Sequence, residues 1–121
     1  MLTNKKFLEI CNSDKEYTAK KTHDERLAFK VAKSYLHHYA FLFKNAAKRH
    51  DVNFTHWVTF GDIDARIKTM KMFHRVWGHD TFHLKVLNAI KTIADKNGYM
   101  TSIKESYPTD ANPYLIISVN A

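Results

Sequence analysis

Between Arg26 and His50 the chain carries six Lys or Arg residues and no Asp or Glu. Arg26, Lys30, Lys33, His37, Phe41, Lys44 and Lys48 follow one another at steps of three or four, the spacing that lines side chains up in one stripe of an α-helix. Ala28, Ala32, Tyr35, Leu36, Tyr39, Leu42, Phe43 and Ala46 recur at the same period on the opposite side. The pattern predicts one long helix with a core-facing apolar side and a cationic back. Thr22 with Glu25 three residues on fits a capping box, and acids at Asp24 and Glu25 suit the positive end of a helix dipole, so the helix is expected to start at Thr22. It is expected to end near Arg49 or His50.

Like charges at helical neighbours cost roughly 0.2–0.5 kcal/mol per pair, so folding alone gives little reason to build such a stripe. From Arg26 to Lys91 twelve Lys plus Arg face four acids (Asp51, Asp62, Asp64 and Asp80), while the two ends together hold seven bases and eight acids. The net charge of +7 therefore sits in the middle of the chain. A concentrated positive field captures anionic partners, nucleic acid first, then acidic protein or membrane surfaces. Fifteen Lys against four Arg also suits a surface that simply keeps a small protein soluble.

At 121 residues with 45% apolar and 26% charged content, a single domain with one hydrophobic core is expected. Cys11 is the only cysteine, which excludes an intrachain disulfide and a zinc site built on Cys pairs. No apolar run approaches the roughly 18 residues of a membrane span, and the opening Met-Leu-Thr-Asn-Lys-Lys-Phe lacks a secretory pattern, so no membrane partner and a cytoplasmic location are expected.

The fold class expected is mainly α (α+β): three or four helices with a C-terminal β-hairpin. Residues 1–21 read as an N-terminal segment with a short helix over Thr3–Cys11, then a polar connection over Asn12–Lys21. Residues 22–97 read as the helical core. Asp51 to Thr59 reads as a loop with a turn that buries Trp57. Thr59 or Asp62 can cap a second core helix whose apolar stripe runs Ile63, Ile67, Met70, Phe73, His74, Trp77, with Gly78 as its stop. Asp80 or Thr81 can cap a third, with Phe82, Val86, Leu87, Ile90, Ile93 and Ala94 inward and Asn97-Gly98 closing it. Beyond Gly98 the period changes to two. Tyr99, Thr101, Ile103 and Tyr107 alternate with polar neighbours, and Tyr114 to Val119 is a β-branched run, so residues 98–121 are expected to form the hairpin.

This order of helix, helix, short turn, helix and hairpin, over roughly Thr59 to Asn120 for its later part, resembles the layout of winged-helix DNA-binding domains. The resemblance implies that the third core helix enters a major groove and the hairpin lies on adjacent backbone. Lys85, Asn88, Lys91 and Thr92 would then read bases and Lys104 would sit on the wing, although Asp110 in the hairpin connection is ill placed beside phosphate. Lys68, Lys71 and Arg75 extend the positive field along the second core helix. Phe41, an aromatic within the basic stripe, suits stacking on a base or anchoring a protein; alternatively it packs under Phe7 or Leu8.

Eight histidines invite a metal test. His79 and His83 stand four apart with Asp80 between and His74 upstream, the geometry of a His-x-x-x-His pair, but the Glu of His-Glu-x-x-His and an evident third ligand are missing. No Gly-rich phosphate loop and no Gly-x-Ser-x-Gly elbow is present. The expectation is a small basic non-enzymatic nucleic-acid-binding protein, a regulator of DNA or RNA, without cofactor or metal. The alternative is an inhibitor or adaptor, of a kind mobile elements encode, that docks on an acidic surface of a larger enzyme. A nuclease using His79 and Asp80 is the third reading.

Overall fold

The computed structural model describes residues 1–72, 79–105 and 112–121, with side chains described for all of these except residues 12, 16–21, 79 and 80. Among the described residues, four helices and a three-stranded antiparallel sheet make a mainly helical α+β fold. The first helix, α1 (Asn4–Ser13), is capped by Thr3, whose hydroxyl accepts from Lys6 N, and is broken at the single extended residue Asp14. The second, α2 (Lys15–Lys48), is 34 residues long.

Thr22 is thus inside a helix and does not begin one. Lys15, Glu16, Ala19, Lys20 and Lys21 are all good helix formers with no Gly or Pro among them, so nothing stops the helix from running upstream through the capping-box sequence. The polar connection expected over Asn12–Lys21 shrinks to Asp14. The downstream end agrees with expectation: the helix stops at Lys48, and His50 takes a left-handed conformation (φ 56°) that turns the chain away.

A short strand follows, β1 (Thr55–Val58), where a loop was expected. Its residues alternate, with His56 and Val58 inward and Thr55 and Trp57 outward, so Trp57 is exposed rather than buried. The third helix, α3 (Phe60–Thr69), opens with a capping box: Thr59 Oγ1 accepts from Asp62 N at 3.2 Å and Asp62 Oδ2 accepts from Thr59 N at 3.1 Å. It ends at Thr69, sooner than the apolar spacing indicated, because the chain turns at Lys71 (φ 56°) and Met72 bonds back to the Ile67 carbonyl. The expected continuation through Phe73, His74 and Trp77 to Gly78 lies outside the described residues.

The fourth helix, α4 (His79–Lys96), starts at His79, so Asp80 and Thr81 belong to its first turn instead of capping it. Phe82, Val86, Leu87, Ile90 and Ala94 are buried as the period required, and Ile93 is partly buried against them. Gly98 (φ 86°) closes the helix in a conformation that side-chain-bearing residues rarely adopt. The hairpin comprises β2 (Met100–Lys104) and β3 (Tyr114–Ser118), paired antiparallel from Met100↔Ser118 to Lys104↔Tyr114. The last strand is central: β1 pairs with its other side, from Thr55↔Ser118 to Val58↔Leu115, giving the order β1-β3-β2.

The core lies where α2, α3 and α4 meet the inner face of this sheet. Val31 and Tyr35 from α2, Ile63 and Ile67 from α3, Val86 and Ile90 from α4 and Leu115 and Ile117 from β3 are fully or almost fully buried within it. Burying a side chain of this size contributes about 1.5–3 kcal/mol. The helix–helix–helix–hairpin order expected from the sequence is present, with β1 added between the first two core helices.

Candidate nucleic-acid interface

Every member of the basic stripe is exposed: Arg26, Lys30, Lys33, His37, Phe41 and Lys48 stand on the side of α2 opposite its buried residues, and Lys44 borders a groove shared with Ile93 of α4 and Ile117 of β3. Burial of Ala28, Val31, Ala32 and Tyr35 fixes the helix rotation, and the period of 3.6 then carries the cations to the back. Among the described residues none of these cations has a carboxylate within ion-pair distance. From Arg26 to Lys48 the stripe is about 33 Å long at about 1.5 Å rise per residue.

Phe41 is 55% exposed and so is not covered by Phe7 or Leu8, both of which are themselves exposed on α1. One turn from the N-terminal end of the stripe, Phe29 is also exposed, with the Lys33 Nζ 5.6 Å from the ring centroid in a cation–π arrangement. The exposed surface of α2 therefore combines cations with two accessible aromatic rings, Phe41 within the stripe and Phe29 at its flank, beside α4.

The other candidate residues are placed differently. Lys68 is exposed in the last turn of α3 and Lys71 just beyond it; Arg75 lies outside the described residues. On α4, Asn88 is exposed, whereas Lys85 is half-buried in a groove of about 340 Å³ with Glu25, Phe29, Asn88 and Thr92. The Lys91 ammonium is 2.8 Å from the Asp95 carboxylate, one helical turn on. Asp95 also accepts from the Thr101 hydroxyl on β2, and these two bonds hold its carboxyl below the usual carboxylate range. The exposed face of α4 thus presents less free positive charge than its sequence suggested, and α3 and α4 both pack on the side of α2 opposite the stripe.

The histidines divide between surface and interior. His83 is fully buried, with Nε2 2.7 Å from Asp64 Oδ1 across α3 and α4 and its ring 5.2 Å from that of Phe60. His83 thus packs in the interior beside Asp64; the side chains of His74, His79 and Asp80 lie outside the described residues. Among the described residues no group of three or more His, Cys, Asp or Glu is placed to hold a metal ion.

A second buried pair was not legible in the sequence. The Tyr35 hydroxyl lies 2.7 Å from His56 Nε2, amid the rings of Tyr39 and Phe43. Burial, reinforced by the nearby Asp62 and Tyr39, pushes the Tyr35 phenol far above its ordinary value. Burial lowers the His56 imidazole, against a smaller opposing pull from Asp62. Tyr35 therefore keeps its proton and His56 is neutral at pH 7, which lets the phenol donate to Nε2. Beside this pair, His38, Tyr39, Asp62 and Arg66 line a cleft of about 140 Å³ between α2 and α3.

The outer face of the sheet carries a further group absent from the sequence reading. Trp57 on β1 and Tyr114 on β3 stack with ring centroids 5.2 Å apart and planes 20° apart. Alternation of Thr55, His56, Trp57 and Val58 is the one sequence signal for it, and four residues are too few for that signal to stand out.

No family model, no curated protein and no solved structure matches this chain. No helix among the described residues is long and apolar enough to cross a membrane.

Proposed function

We propose that this is a small basic, non-enzymatic nucleic-acid-binding protein that grips phosphate backbone with the back of α2. One observation carries the reading: a stripe about 33 Å long, close to one turn of B-DNA at about 34 Å, is exposed along its whole length and lacks acidic partners among the described residues. Exposed cations release counterions from nucleic acid on contact, and that release drives affinity. The exposed ring of Phe41 adds apolar contact to the same surface, with Phe29 at its flank. By contrast, a winged-helix mode of docking through α4 draws less support, because Lys91 is paired with Asp95 and Lys85 is half-buried.

Replacing Lys30, Lys33, Lys44 and Lys48 together by Gln tests the proposal. Binding of duplex DNA or RNA, followed by anisotropy from low to moderate salt, should weaken, and the slope of log affinity against log salt should shrink by up to about 3.6 for B-DNA. Because all four side chains are exposed, the circular dichroism spectrum should not change. Unchanged affinity and slope in the folded variant would discard the stripe as the binding surface.

A protein-interaction module, an inhibitor or adaptor, is the second reading, and α1 favours it. Phe7, Leu8 and Ile10 are about half exposed on a helix of ten residues, below the roughly 12–15 at which an isolated helix holds together in water. Retention of a single stoichiometric protein after nuclease treatment, lost in Phe7→Ser, would identify this role.

A further inference from the structure

The three-stranded sheet has one face in the core and one without a covering element among the described residues. Register places Trp57, Ile116 and Ser102 in one row across β1, β3 and β2, and Tyr114 directly opposite Lys104 in the next. Trp57 is 57% exposed and Met100 53% exposed, on the two outer strands of this face. Val58, Leu115 and Ile117 on the opposite face are buried in the core, so the outward rings stand on strands anchored to the helices.

We infer that this outer face stacks unpaired bases of a single-stranded nucleic acid, an inference that rests on the nucleic-acid reading above and gives it a second surface. Trp57 offers the ring. One of its faces lies against Tyr114, yet more than half of its surface meets solvent, so a base added on the free side extends an existing pile. The Tyr114 ring already restrains the indole, which lowers the ordering cost of binding. Stacking of this kind is tolerant of sequence because every base has a π-face.

Charge selects the occupant. No outward position of the three strands is acidic, and Lys104 stands across from Tyr114 where a backbone phosphate could follow a stacked base. A second copy of this chain would bring another +7 of net charge to the same face, and two copies of Lys104 with it. An anionic strand with flat, apolar bases complements both the rings and the field.

The test uses the full chain and three probes: a fluorescein-labelled dT12 single strand, a duplex of the same length, and heparin as a polyanion without bases. Trp57→Ala should weaken dT12 binding by about 5- to 100-fold, Trp57→Phe should retain most of the affinity, and neither should alter heparin binding. The Trp57 side chain is largely exposed, and circular dichroism checks that the fold is kept. Equal loss for dT12 and heparin would overturn the inference, since charge alone would then explain it. Unchanged dT12 affinity would overturn it too, as would a Trp57→Ala effect confined to self-association in sedimentation. The lysine-to-glutamine variant separates the two surfaces: if duplex binding survives there while Trp57→Ala still loses dT12, the stripe reading fails and the sheet reading stands. If no probe binds the wild-type protein, both fall.

Discussion

The Tyr35–His56 pair makes a quantitative prediction, because its two groups are polar, inward-facing and bonded to each other. Tyr35→Phe deletes a 2.7 Å hydrogen bond and leaves Nε2 of half-buried His56 without that donor, at a cost of about 1–2 kcal/mol. His56→Phe leaves the hydroxyl of fully buried Tyr35 without that partner, costing about 1–3 kcal/mol. The double variant places two phenyl rings beside Tyr39 and Phe43, where replacing both partners by apolar groups of similar shape removes the orphaned atoms. Its cost should therefore fall short of the sum of the single variants by about 1–2 kcal/mol. Urea unfolding at 25 °C measures all four proteins. Costs that add within about 0.5 kcal/mol would refute the coupling. The same cycle has a pH signature. A half-buried imidazole whose folded value lies below the ordinary value of about 6.5 binds protons more readily when unfolded, so its contribution is complete above about pH 6.5 and is lost as pH falls through the lower folded value. The stability difference between wild type and His56→Phe should shrink between pH 7.5 and pH 5.5, and a constant difference would refute the argument.

Two further perturbations act on the elements around this pair. Thr59→Ala removes the hydroxyl that caps α3, and should cost about 1 kcal/mol in urea unfolding while Thr59→Ser costs less. Asp64→Ala takes the carboxylate from beside the Nε2 of buried His83 and should cost about 1–3 kcal/mol; a smaller loss than from Thr59→Ala would show that His83 finds other support.

Where the sequence has long apolar periods, structure and expectation agree. The stripe and its opposite face set the rotation of α2, and the inward residues of α4 and the hairpin strands follow in the same way. Errors collect where local signals are short or compete. The Thr22–Glu25 box resembles a helix start, but neighbouring helix formers override it. In α3 the spacing continues past Thr69, yet the backbone turns at Lys71, and no sequence rule marks a Lys for a left-handed conformation. Strand β1 has four residues, and Thr55 finds its partner 63 residues downstream, at Ser118, so nothing nearby reveals it. With that strand unseen, the exposure of Trp57, its stacking on Tyr114 and the bond from Tyr35 to His56 were all out of reach. The stripe was legible because it needs only one helix, and the sheet-face rings were not because they need a pairing between distant segments.

Because β3 lies between the other two strands, neither β1 nor β2 has a strand to bond among the described residues until residues 114–118 have been translated. On the ribosome, α2 and α4 can gather their apolar sides early, while β1 waits with its backbone amides and carbonyls held by water. Closing the sheet is then a late step that joins chain segments far apart, the kind of step that sets the pace of folding. A nascent chain that stalls before Tyr114 would carry a helical body and an unfinished edge, ready to pair with whatever strand comes next.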